Sequence, residues 1–118
     1  MLTIITPVLK ITEDLISTAN SINDILVDHE INWWIVSPKK TKKDLLRLSY
    51  LQNKRVRIFV ERGPQIWAAY NTIINKVDDF YIPLSAGDIL IKDQFSEVLK
   101  IINNKKNNEL DLLFFFSY

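Results

Sequence analysis

Apolar residues follow two rhythms along this chain, and the changes between them mark its elements. Leu2–Thr6 is a nearly continuous β-prone run stopped by Pro7, the pattern of a strand covered on both faces. Leu15, Ala19, Ile22 and Leu26 then recur at helical spacing, behind a Thr12 placed to cap the first N–H groups. Ile31–Val36 predicts a second strand, stopped by Ser37-Pro38. Thr41, with Asp44 at the third helical position, predicts the start of a second helix whose inner face carries Leu45, Leu48 and Leu51. Val56, Ile58 and Val60 alternate on a third strand, which Glu61-Arg62-Gly63-Pro64 breaks. Ile66, Ala69, Tyr70, Ile73 and Val77 fit one helical face, and Phe80–Leu84 a fourth strand. Phe95, Val98, Leu99 and Ile102 mark a further helix. A polar stretch follows, and then the apolar run Leu110–Tyr118, read as a fifth strand.

This alternation predicts one α/β domain over 1–118, a mostly parallel sheet with helices on both faces and right-handed crossovers. Pro83 lacks a donor, so an irregularity is expected where the fourth strand ends. Leu110–Tyr118 needs a partner strand, a cover or a second protein, because LLFFF would otherwise be an exposed apolar patch.

Composition narrows the classes. The 118 residues are 47% apolar and 25% charged, which fits a globular core rather than disorder. A net charge of +1 gives no global field for nucleic acid. Locally, Lys39, Lys40, Lys42 and Lys43 cluster, either as a solvated first helical turn or as a phosphate attractor beside a cleft. Cysteine is absent, which removes disulfides, thiolate metal sites and cysteine nucleophiles. No apolar run reaches the roughly 20 residues of a membrane span, and the first residues lack a signal peptide's basic segment. A cytosolic setting is compatible with the absence of cysteine.

The sharpest chemistry lies in YIPLSAGDIL, Tyr81–Leu90. Gly87 can bend the chain after a strand, and Asp88 can present a carboxylate where open α/β sheets build ligand sites. Asp88 would either meet a ligand or cation, or serve a turn or the cap of a helix starting around Ile89–Asp93. No second acid lies within two positions of it, whereas a divalent cation needs several oxygens. Asn71 would bond a ligand hydroxyl or make a surface contact. Arg62, Gln65 and Trp67 have phosphate, loop or stacking readings beside bland ones. Ser37 would touch a nucleoside hydroxyl or shape the Ser-Pro turn. His29 reads as a solvated loop residue, and Asp78 and Asp79 as element ends. No Ser–His–Asp set, GxxxxGK loop or GxGxxG turn occurs.

With these residues in view, the sequence resembles family 2 glycosyltransferases of the Rossmann-like GT-A fold, similar to bacterial polysaccharide-biosynthesis members. TIITPVLK resembles the family's first strand, and WIVSPKKTK falls at its second strand and turn. ERGPQIWAAYNTIINKVDDFYIPLSAGDIL follows the family pattern without a gap, with Glu61, Ile66, Ala69, Asn71, Ile74, Leu84, Ala86, Gly87 and Asp88 agreeing. Several acids of the pattern are replaced. Ser37-Pro38 stands in an Asp-rich turn, Gly63 and Ala68 at family aspartates, and Gln65 at a glycine. Ser85-Ala86-Gly87, followed by Asp88, occupies the Asp-x-Asp position.

The resemblance implies a nucleotide-sugar-binding half without the acceptor-binding half that normally supplies the catalytic base. It implies donor contacts from Pro7, Ser37, Asn71, Ser85 and Asp88, with Asp88 toward Mg²⁺ or Mn²⁺. The implied partners are a nucleoside-diphosphate sugar and a glycan or lipid-linked acceptor, with a homodimer or further C-terminal domain completing the protein. The implied setting is cytoplasmic, or peripheral at the inner face of the membrane. The alternative expectation is a degenerate, non-catalytic GT-A module that associates with other proteins through its LLFFF edge.

Overall fold

The computed structural model describes residues 2–61 and 80–104. β1 (Leu2–Pro7), β2 (Ile31–Ser37), β3 (Val56–Val60) and β4 (Phe80–Pro83) form one four-stranded sheet of order β3-β2-β1-β4. Every ladder in it is parallel: Leu2 pairs with Ile31 and with Phe80, and Trp33 with Val56. Helices α1 (Glu13–Asp28), α2 (Lys39–Leu45) and α3 (Lys92–Asn104) flank it, and a 3₁₀ turn spans Ser49–Leu51. This is the α/β, Rossmann-like class that the strand and helix rhythm predicts. The predicted helix over Ile66–Val77 and strand over Leu110–Tyr118 lie outside the described residues, as do Arg62, Gly63, Gln65, Trp67, Ala68, Asn71, Asp78 and Asp79.

Both faces of the sheet bury apolar side chains, which is why its strands are continuous runs. On the larger face Ile4, Trp33 and Ile35 pack with Leu15, Ile22 and Ile25 of α1 and with Phe95 and Leu99 of α3. On the other, Ile5, Trp34 and Val36 cluster with Phe59, and the Arg57 guanidinium lies 5.1 Å from the Phe59 ring centre. One polar pair is built into the core: the Trp33 indole N–H donates to Thr6 Oγ1 at 2.9 Å.

Helix α1 shows which force wins locally. Thr12 does occupy the N-cap position, yet its side chain makes no capping hydrogen bond. A missing cap costs about 1 kcal/mol, whereas burying each of Leu15, Ile22 and Ile25 contributes about 1.5–3 kcal/mol. Packing therefore holds the helix.

Five expectations are corrected. α2 begins at Lys39 behind Pro38, not behind Thr41, and ends at Leu45. Proline sets the helical entry, and the Thr41 hydroxyl instead donates to the Leu9 carbonyl at 2.8 Å. Leu48 and Leu51 lie beyond α2, Leu48 as the extended residue that precedes the 3₁₀ turn and Leu51 at its end. Val60 does not continue the inward alternation and is exposed at the end of β3. Pro83 leaves the β1 ladder regular: Leu84 N–H donates to the Ile5 carbonyl at 2.9 Å, so the proline nitrogen faces away from β1. His29 is half-buried at the end of α1, with its Nε2 3.3 Å from Ser96 Oγ on α3, and is not a solvated loop residue.

Candidate functional site at the strand-order reversal

Chain direction identifies one edge of this sheet. From β1 the chain moves to β2 and β3 on one side, while β4 lies on the other, so the order reverses between β1 and β4. Open α/β sheets bind ligands outside the carboxyl ends of the strands at such a reversal. Pro7 and Val8 follow β1 there, and Leu84 to Asp88 follow β4. Ser37 ends the neighbouring β2.

The corner after β4 is a closed turn. Asp88 N–H donates to the Ser85 carbonyl at 3.0 Å, and Ser85 N–H donates to Asp88 Oδ2 at 3.1 Å. Gly87 has φ +102, a conformation that L side chains rarely adopt, so the bend needs a glycine. Asp88 thus serves the turn that the sequence allowed for. It does not cap α3, which starts four residues later at Lys92. The turn takes up Oδ2; among the described residues Oδ1 has no partner and is the oxygen left for a ligand.

Helix α1 supports this corner with residues that the sequence reading did not single out. Thr18, 0% exposed, accepts from Gly87 N–H at 2.8 Å and donates to the Asp88 carbonyl at 2.7 Å. Ser21, one turn along, accepts from Leu90 N–H at 3.2 Å. The signal was present: Thr18 lies on the Leu15, Ala19, Ile22 stripe, and a hydroxyl on an apolar helix face needs a buried partner. Asp14, also on α1, brings its carboxylate to 3.7 Å from where a Gly87 Cβ would stand. A second acid thus reaches the corner through the fold rather than through adjacency in sequence.

Ser37 is 0% exposed, and among the described residues its Oγ has no hydrogen-bond partner, while its carbonyl accepts from Glu61 N–H at 2.9 Å. A buried hydroxyl left unpaired is costly and suits a group kept for a ligand. Pro7 is half-buried and Ser85 exposed. The fold therefore brings Pro7, Ser37, Ser85 and Asp88 to the same end of the sheet. Asn71 lies outside the described residues. The Lys39, Lys40, Lys42 and Lys43 cluster makes up most of α2, which opens after Ser37-Pro38.

Among the described residues no group of three or more acids or histidines converges on a metal position. Asp14 and Asp88 give fewer oxygens than Mg²⁺ or Mn²⁺ takes, so a cation here would draw most of its ligands from a bound diphosphate and water. A cavity of about 320 Å³ lies elsewhere, lined by Leu51, Gln52, Asn53 and Val56 at the start of β3. It is remote from the carboxyl ends of the strands, and its residues bring no acid toward the corner. Among the described residues no helix is long and apolar enough to cross a membrane.

No family profile matches this chain, and no curated protein matches it. Among solved structures it is similar to TarS of S. aureus, residues 1–349, a bacterial glycosyltransferase, with a TM-score of 0.66 and 12% identity. The likeness covers 87% of this chain and 32% of that one, so this chain spans about a third of that structure. At this identity the likeness is one of fold, and the fold is GT-A-like.

Proposed function

We propose that this chain is the donor-binding part of a family 2-type glycosyltransferase and holds a nucleoside-diphosphate sugar at the β1/β4 reversal. The observation that carries this reading is the position of the Ser85–Asp88 turn, anchored to α1 at the one edge where a parallel sheet of this order takes its ligand. The GT-A-like fold supports the same class.

In this reading Asp88 Oδ1 faces the diphosphate, the unpaired Ser37 hydroxyl meets the nucleoside, and Pro7 and Ser85 line the donor. Asn71 keeps the sugar contact that the resemblance implies. Mg²⁺ or Mn²⁺, when bound, supplies positive charge against the leaving diphosphate. The acceptor oxygen forms the new bond at the anomeric carbon as the bond to the diphosphate breaks, and its proton passes to a base. The reading extends to a glycan or lipid-linked acceptor in surface polysaccharide biosynthesis at the cytoplasmic face of the membrane. A further domain or second subunit would supply the base.

Calorimetric titration with nucleoside diphosphates and their sugars, with and without Mg²⁺ or Mn²⁺, tests the reading. Saturable binding that Asp88→Ala weakens supports it. Absence of binding to every donor at millimolar concentration, by a folded chain, overturns it in favour of the non-catalytic module.

A further inference from the structure

The loop after β4 cannot satisfy its own backbone. Its internal bonds use the Ser85 and Asp88 amides and the Ser85 carbonyl, and leave Gly87 N–H, Asp88 C=O and Leu90 N–H without partners inside the loop. All three are met by hydroxyls of α1, about seventy residues earlier in the chain. Thr18 takes two of them, accepting from Gly87 N–H and spending its single proton on the Asp88 carbonyl. Ser21 takes the third and donates to the Thr18 carbonyl at 2.8 Å, which ties the two hydroxyl residues to each other.

We infer that Thr18 is a positioning residue for Asp88: its buried hydroxyl fixes the backbone on either side of the Gly87–Asp88 peptide. That constraint holds Asp88 Oδ2 on the Ser85 amide and leaves Oδ1 without a partner among the described residues. The chain from α1 to the carboxylate is short and rigid. Thr18 cannot move without opening the α1 core, because Leu15, Ala19 and Ile22 around it are all fully buried. Thr18→Val keeps the volume and loses both bonds, whereas Thr18→Ser keeps the hydroxyl and loses a methyl. A packing role and a positioning role therefore separate. The consequence for donor binding rests on the function proposed above; the consequence for the corner's geometry does not.

The test uses the ¹⁵N-labelled chain as wild type, Thr18→Val and Thr18→Ser, with the Trp33 indole signal reporting an intact sheet. Hydrogen exchange at the Ser85 amide should be slow in wild type and Thr18→Ser, and several times faster in Thr18→Val. With UDP, GDP, CDP or TDP and Mg²⁺, Thr18→Val should weaken binding about tenfold, while Thr18→Ser stays within about threefold. Ser85 exchange unchanged in Thr18→Val overturns the inference, as does equal weakening by both variants. If wild type binds none of the diphosphates, the donor reading fails while the Ser85 exchange rate still judges Thr18. Should Thr18→Val not fold, hydrogen exchange in wild type decides. Gly87 N–H is expected to be protected like the amides of α1, and exchange at the rate of an exposed loop would overturn the assignment.

Discussion

Ser85 N–H donates to Asp88 Oδ2 at 3.1 Å while Asp88 N–H donates to the Ser85 carbonyl at 3.0 Å, so the two residues close a ring on each other. The carboxylate is therefore both a turn-former and a ligand candidate. The sequence offered these as alternatives. The geometry allows both, one oxygen to each.

Asp88→Ala removes the bond to the Ser85 amide as well as the second carboxylate oxygen, Oδ1. The expected stability loss is about 1 kcal/mol, since the amide remains near solvent, and donor affinity should fall about tenfold or more. Urea denaturation and calorimetry measure the two effects separately. A large stability loss with unchanged affinity would make Asp88 a turn residue only.

Gly87→Ala tests the bend. An added Cβ would stand 3.6 Å from the Asp14 side chain, an ordinary contact, so space is not the obstacle. The obstacle is φ +102, and the expected cost is about 1–2 kcal/mol. A urea midpoint equal to that of wild type would show that the corner relaxes freely.

Ser37→Ala should act in opposite directions on stability and on binding. Removing a buried hydroxyl without a partner should leave the fold as stable as wild type or more so, by up to about 1 kcal/mol. Donor affinity should fall if that hydroxyl meets the nucleoside. Thermal denaturation and titration of the same preparation check both signs.

Asp28 and Lys92 join the end of α1 to the start of α3 by a salt bridge. Its hydrogen bond and charge hold the Asp28 carboxyl below its ordinary 3.8 and the Lys92 ammonium above its ordinary 10.5. The Asp28 contribution is present above 3.8 and is lost as pH falls through its lowered value. The Lys92 contribution is present below 10.5 and is lost as pH rises through its raised value. Lys92→Gln should therefore flatten the stability profile at both extremes, and salt should shrink the difference because both groups are exposed. Denaturation midpoints across pH measure this.

Periodicity made β1, α1, β2, β4 and α3 legible, because Leu15, Ile22, Phe95 and Leu99 repeat where one face must be buried. It misjudged α2, where Pro38 opens the helix and the Thr41 hydroxyl is spent on Leu9, a contact 32 residues away that spacing cannot reveal. The corner itself was readable from Gly87 and Asp88. Its supports were not: Thr18 and Asp14 reach it only because the β1–β4 ladder sets the end of β4 beside α1. Ser37 was readable as a strand-end hydroxyl, but its burial without a partner is a property of the packed sheet.

The most direct test is to map which backbone amide signals move when a nucleoside diphosphate with Mg²⁺ is added to the labelled chain. Shifts concentrated at Val8, Ser37 and Ser85–Asp88, the carboxyl ends of β1, β2 and β4, are the predicted result. Shifts confined to Gln52, Asn53 and Val56 at the opposite end of the sheet, or none at saturating ligand, would contradict it.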